Sequence, residues 1–161
     1  MRSNLPVTET EYQLSDSETI VSTTDLDGNI TYANPYFVRV SGFTIDELLG
    51  APQNILRHPD MPVEAFADLW RTIRRGQAWT GLVKNRCKNG DFYWVSANVT
   101  PVMEAGRIVG YMSVRTKPSR SEVAAADALY RQFKAGNSNK LAISQGDAVG
   151  TGVLARLVDL R

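Results

Sequence analysis

Between residues 19 and 118 the chain shows five short runs of β-forming residues separated by polar turns, and a helical block interrupts the series after the second run. Thr19 to Thr24 is rich in β-branched side chains. Asp27-Gly28 follows as a tight-turn pair, and Asn29 to Ala33 completes a hairpin. Asn34-Pro35 opens a helix, the asparagine as its cap and the proline where a missing N–H does no harm, with Tyr36, Phe37 and Val40 on its apolar side. Ser41-Gly42 ends that helix, and Thr44 with Glu47 forms a capping box for a short one that stops at Gly50. A turn-rich stretch, 51 to 62, leads into Val63, Phe66, Leu69, Trp70 and Ile73, which recur at helical spacing until Gly76. Three strands then follow, Ala78 to Lys88, Phe92 to Met103 and Arg107 to Thr116, joined at Asn89-Gly90 and Ala105-Gly106. The order ββααααβββ predicts an α+β fold, a five-stranded antiparallel sheet with helices on one face.

The flanks read differently. Residues 1–18 are a polar N-terminal cap on a domain spanning 19–118. In 119–161, Ser119 and Glu122 form another capping box, opening a helix to Ala135 whose Val123, Ala126, Leu129, Tyr130 and Phe133 lie along one side. That stripe needs a surface, either the domain's own sheet or a docking partner. The remainder, 137–161, reads as a linker toward an output or membrane segment.

Strand alternation puts Trp79, Gly81, Val83, Asn85 and Cys87 on one face and Thr80, Leu82, Lys84, Arg86 and Lys88 on the other. The charged set is expected to face water. Asn85 then points into the domain, where an unpaired amide costs about 1 to 3 kcal/mol. On the next strand Tyr93, Val95, Ala97 and Val99 share a phase, and a floor containing Gly81 and Ala97 leaves room for a flat object, with Trp79 at one end. An amide, an aromatic wall and small residues suit a flavin ring, whose polar edge carries donors and acceptors. A core tryptophan and an asparagine bonded to a loop carbonyl fit the same pattern.

Composition narrows the function classes. Lys plus Arg number 18 against 17 Asp plus Glu, which leaves no basic excess for nucleic acid. Cys87 is the single cysteine, so no internal disulfide forms, and a reducing compartment fits. No 18 apolar residues run together, so no membrane insertion is expected within this chain. Nucleophile, base and orienting acid do not cluster, and an enzyme is not expected.

Several blocks now stand out: Thr23-Thr24-Asp25-Leu26, Ile30 to Asn34, Val40 to Thr44, Arg57-His58-Pro59-Asp60-Met61-Pro62, the run Lys84 to Asp91, and Tyr93-Trp94-Val95. Together they resemble a PAS domain, and closely the PAS domain of bacterial aerotaxis receptors, over nearly the whole chain up to about Tyr130. The resemblance implies a non-covalent FAD between sheet and helical block that reports electron-transport activity. The positions it associates with flavin binding are Asn34, Arg57, His58, Asp60, Trp79 and Asn85, and every matching residue type is present. It also implies a HAMP or other signalling region of the same receptor as recipient, with the sensor in the cytoplasm and the receptor anchored in the inner membrane. A homodimer through the PAS domain or the flanking helix is a further possibility. Cys87 departs from the larger polar residue expected at its position.

Each residue keeps a plainer reading. Arg57 and His58 suit pyrophosphate or ribityl oxygens, or simply line a solvated loop. Asp60 suits a ribose, or caps the helix that follows. His58, the only histidine, is also the only conventional axial ligand if the pocket takes haem. A ligand-free PAS domain serving dimerisation is the third alternative. Cys87 reads best as a small buried hydrophobe. Light-sensing members of the wider family resemble this chain but carry their adduct-forming cysteine in the helical block after an asparagine; here Asn54 is followed by Ile55, so photoadduct chemistry has no support.

Overall fold

A computed structural model describes residues 4–136 and, for the backbone alone, residues 141–144 and 147–150. Strands β1 (Ile20–Thr24) and β2 (Ile30–Ala33) form the expected hairpin; α1 (Pro35–Ser41), α2 (Ile45–Leu48), a 3₁₀ turn (Gln53–Leu56) and α3 (Val63–Arg74) make the helical block. Strands β3 (Trp79–Arg86), β4 (Phe92–Glu104) and β5 (Arg107–Thr116) complete an antiparallel sheet of order β2-β1-β5-β4-β3. The first and last strands of this sheet, β1 and β5, therefore lie side by side, with β2 and β3 at the edges.

Local chemistry explains the joints. The Asp25 carboxylate accepts from the backbone N–H of Asp27 and Asn29, fixing the first hairpin turn, and Gly28 takes a positive φ there that a side chain resists. Thr44 and Ser119 make reciprocal capping boxes with Glu47 and Glu122, as their spacing predicts. The core lies between the sheet and the block, where Ile20, Phe37, Leu48, Ile73 and Val95 are fully buried.

Helix α4 (Arg120–Lys134) resolves one open choice by folding back on the sheet. It covers the face opposite the helical block: Tyr130 stacks on Trp94 at 6.2 Å and donates to the Leu82 carbonyl at 2.7 Å. The expectation that Lys84 and Arg86 face water is corrected, since both are buried. The reason is cover on the outer face. Arg86 Nε donates to the Pro6 carbonyl of the N-terminal arm, and Lys84 Nζ bonds Asp60 at 2.7 Å while lying 4.5 Å from the Phe92 ring centre. Beyond α4, strands β6 (Leu141–Ser144) and β7 (Asp147–Gly150) pair within the stretch read as linker. The rest of that linker lies outside the described residues. Among the described residues no helix is long and apolar enough to cross a membrane.

Candidate ligand cavity

A half-open cavity of about 320 Å³ lies between the inner face of the sheet and the block. Its floor is Val83 and Asn85 of β3, Ala97 and Val99 of β4, and Tyr111, Ser113 and Arg115 of β5; Phe66, Leu69, Trp70 and Ile73 of α3 form its wall. Exposed Asp27 and Arg74 mark the mouth. Trp70 meets Tyr111 edge-on at 5.6 Å, and this packing needs Gly28, because a Cβ there would stand 3.0 Å from the indole.

Two of the six expected site residues meet at this cavity. Arg57 and Asn85 both line it and are joined through their backbones by an antiparallel bridge, which pins the loop after the 3₁₀ turn to the edge of β3. Asn85 is buried. Its interaction with the Tyr93 phenol falls short of a well-aligned hydrogen bond. Arg57 stacks on Phe66 at 3.7 Å, and its buried Nε has no partner. Burial lowers its pKa from the usual value. Asn4 steadies the same loop by donating to the carbonyls of Asn54, Ile55 and Arg57.

The other four sit outside the lining, each with partners of its own. Asn34 caps α1: its Oδ1 accepts from Phe37 N and Val21 N, and its Nδ2 donates to Thr19 O. Trp79 is buried, with Nε1 donating to Asp68 at 2.7 Å. Its indole lies over Gly81, where an added Cβ would come within 2.5 Å of the ring. The space attributed to Gly81 is thus filled by Trp79, and Ala97 is the small residue the cavity uses. Asp60 caps no helix, since α3 starts after Pro62 without a side-chain cap; it pairs with Lys84. His58 packs edge-on against Phe92 at 6.2 Å, and its Nδ1 accepts from Asp60 N. This placement takes the axial ligand away from a haem in the cavity.

Burial first, then the Lys84 charge, holds the His58 imidazole neutral, its pKa down at about 4 from 6.5. The unfolded chain takes up a proton between those values that the folded one refuses, so stability is full above pH 6.5 and falls as the pH drops toward 4. Urea titrations of wild type should show a loss of roughly 2 to 3 kcal/mol from this group across that window, absent from His58→Gln. Equal slopes in the two proteins would contradict the assignment.

Cys87 matches the buried-hydrophobe reading: it donates to the Val40 carbonyl at 3.3 Å, and burial pushes its thiol up to about 11. It lies outside the cavity lining. Among the described residues no cluster of His, Cys, Asp or Glu could hold a metal. The main residue missed from sequence is Arg115, inward, 3% exposed and bonded to Ser22 Oγ at 2.5 Å with its Nε unpaired. The signal was there: Arg115 shares the strand phase of Tyr111 and Ser113, all three on the cavity floor.

Comparison with known proteins places this geometry. The PAS fold family matches residues 30–115. The chain belongs to that family. Over 160 residues, 99% of its length, this PAS domain is 49% identical to the aerotaxis receptor of Escherichia coli K12, of which it covers 31%. It is 33% identical over 96 residues to the nitrogen fixation regulatory protein of Klebsiella pneumoniae, covering 59% of this chain and 19% of that protein. The domain thus spans under a third of the length of either relative. A light-state structure of the blue-light photoreceptor Aureochrome1 LOV shares the fold at TM-score 0.61 and 23% identity, covering 72% of this chain and 91% of that one.

Proposed function

We propose that this PAS domain binds FAD and serves as the redox-sensing module of an aerotaxis receptor. The observation that carries the reading is the Arg57–Asn85 pair at the cavity. Donors and acceptors stand there without partners, and Gln53 Oε1 and Asn54 Oδ1 add buried acceptors to the unpaired Arg57 Nε. A buried polar group without a partner is rare in a native fold, and each one left so costs about 1 to 3 kcal/mol. A flavin answers such a set, because its polar edge offers both kinds of group, while Phe66, Trp70 and Tyr111 offer aromatic walls. The cavity is near the lower end of the roughly 300 to 1,000 Å³ of ligand sites, which suits a ring system held inside and a charged tail leaving by the mouth. Arg57 and Arg74 would hold such a tail. The 49% identity to the aerotaxis receptor of Escherichia coli K12 supports the receptor part of the reading.

A bound flavin would supply electron-transfer chemistry; the chain's own residues bind it, exclude water and pass on its state. Asn85 is placed to change hydrogen-bond partners with the charge of the ring. Its strand, β3, also carries the Leu82 carbonyl that holds α4 through Tyr130. A shift at Asn85 therefore reaches α4, and coupling of about 1 to 3 kcal/mol is enough to bias an attached module. The recipient proposed is the HAMP or signalling region of the same receptor, with the domain on the cytoplasmic side of the inner membrane and acting as a sensor, without turnover of its own. Dimerisation through the domain or α4 is compatible with this arrangement.

Purified protein should be yellow, and mass analysis of the released cofactor should give FAD. Colourless protein would favour the ligand-free dimerisation reading. Asn85→Ala should lose flavin affinity at least tenfold while the apoprotein keeps its stability within about 1 kcal/mol, since the amide has no aligned partner to lose. Hydrogen exchange that is identical in the two redox states would rule out the relay through β3.

A further inference from the structure

We infer that Asp60 and Lys84 are positioning residues for the ligand: they clasp the loop ahead of α3 around the edge of β3 and so set Arg57 in the cavity, neither of them touching what binds there. The inference rests on the flavin reading and deepens it. Of residues 57–62, only Arg57 lines the cavity. Asp60, which the resemblance ties to flavin binding, stands outside the lining with its side chain 59% exposed, and its partner is Lys84 on the outer face of the sheet.

Strand alternation makes the clasp possible. Neighbours on β3 leave from opposite faces, so Asn85 lines the cavity while Lys84 points away from it. Since β3 is an edge strand, the loop can run along its open side and reach both faces. It bridges Asn85 through Arg57, lays the Met61 sulfur 3.3 Å from Lys84 N, and sends the Asp60 carboxylate to Lys84 Nζ at 2.7 Å. Between these holds the loop is a closed turn: Met61 N donates to the His58 carbonyl at 3.1 Å, and Asp60 N donates to His58 Nδ1 at 3.0 Å. One strand is thus gripped from both sides, with Arg57 inside and Asp60 outside.

Lys84 has reason to keep its partner. Its side chain is 10% exposed, under the rings of Phe92 at 4.5 Å and Trp94 at 6.0 Å. Asp60 is the one carboxylate within 4 Å of its ammonium among the described residues. A largely buried ammonium without such a partner is strongly unfavourable. Burial alone would raise the Asp60 carboxyl, and the Lys84 hydrogen bond and charge more than offset this, holding it below its usual value. The pair is therefore charged at neutral pH. Arg57 has no comparable hold of its own. Its Nε lacks a partner and its guanidinium rests on Phe66, so what fixes it is its backbone, tied to Asn85 and Asn4. Opening the clasp lets the loop lift from β3, and affinity falls although no contact with the ligand has been removed.

The test takes the full chain, stripped of flavin and titrated with FAD, FMN or riboflavin, in wild type, Asp60→Asn, Lys84→Met and the double variant. Asp60→Asn and Lys84→Met should each weaken FAD binding about fivefold, and the double variant no further, because both open the same clasp. FMN and riboflavin should weaken by the same factor as FAD. In the flavin-free variants, hydrogen exchange at the amides of Asp60 and Met61 should quicken at least about fivefold while those within α1 keep their wild-type rates. Unchanged FAD affinity in Lys84→Met would overturn the inference, as would a double variant that shows the product of the two single losses. A loss in Asp60→Asn confined to FAD would also overturn it, by making Asp60 a direct contact of the adenosine end. Exchange that quickens equally in α1 would mean general loosening and would overturn it too. If Asp60→Asn does not fold, Lys84→Met, whose side chain can pack against the same rings, decides on affinity and exchange. Wild type that takes up none of the three flavins would instead remove the reading on which the inference rests, while the exchange result would still report on the clasp.

Discussion

Trp79→Ala is expected to lower the folding free energy by about 3 to 5 kcal/mol, the range for truncating a large buried aromatic. Its indole is 1% exposed, lies over Gly81, and gives its N–H to Asp68, itself 1% exposed. Truncation leaves a void beside the sheet and removes one donor from a buried carboxylate that Arg71 also bonds. Trp79→Phe separates the two effects: it keeps most of the packing, loses the donor, and should cost about 1 to 3 kcal/mol. Urea unfolding with flavin quantified in the same samples checks both. The position of Trp79 outside the cavity lining makes its role packing, so the phenylalanine variant should retain its flavin. A folded phenylalanine variant that cannot hold flavin would make Trp79 a direct contact instead.

Gly110→Ala should be nearly as damaging for a different reason. A Cβ at Gly110 would lie 2.3 Å from the carbonyl oxygen of Thr24. That oxygen belongs to the β1 backbone, paired with β5 at Thr24 and Tyr111, and no side-chain rotation can move it. The two strands must separate at the centre of the sheet. The loss should exceed the roughly 1 to 3 kcal/mol of ordinary overpacking and reach the tail of single-residue effects. A drop in melting temperature of roughly 6 to 12 °C is the expected reading. Gly106→Ala is the control. Its Cβ meets nothing within 4 Å, so only the positive φ of 77° opposes it, at about 1 kcal/mol. Equal melting temperatures for the two variants would refute the clash argument.

Local chemistry was readable from the sequence, and long reach was not. The turns at Asp27-Gly28 and Asn89-Gly90, with the β1–β2 and β3–β4 hairpins they join, and the caps at Asn34, Thr44 and Ser119 follow from residues within four positions of one another. Asn85 was found because one amide among apolar neighbours breaks strand alternation. Arg115 breaks it in the same way and was passed over, since a charged residue near a strand end is ordinarily taken to point outward. Lys84 and Arg86 were misplaced because their cover arrives from Pro6 and Asp60, far along the chain. Strand phase left Trp79 open between cavity wall and core: it says which face a side chain leaves from, but an indole that leans along its own strand reaches the neighbour two residues on. The choice between α4 as cap and α4 as docking element turned on one pairing, Tyr130 with Trp94, that spans two distant segments.

The loop bridge that brings Arg57 to Asn85 has a second consequence. Together with Tyr130 on the Leu82 carbonyl, the Met61 sulfur accepting from Lys84 N, and Ser41 O accepting from Lys88 N, it occupies several outward backbone groups of β3 and of the residues just past its end. At the opposite margin, Ala51 and Gly50 do the same for Ile30 of β2. Each rim is thus partly occupied, which shortens the template for strand addition that an open sheet edge offers.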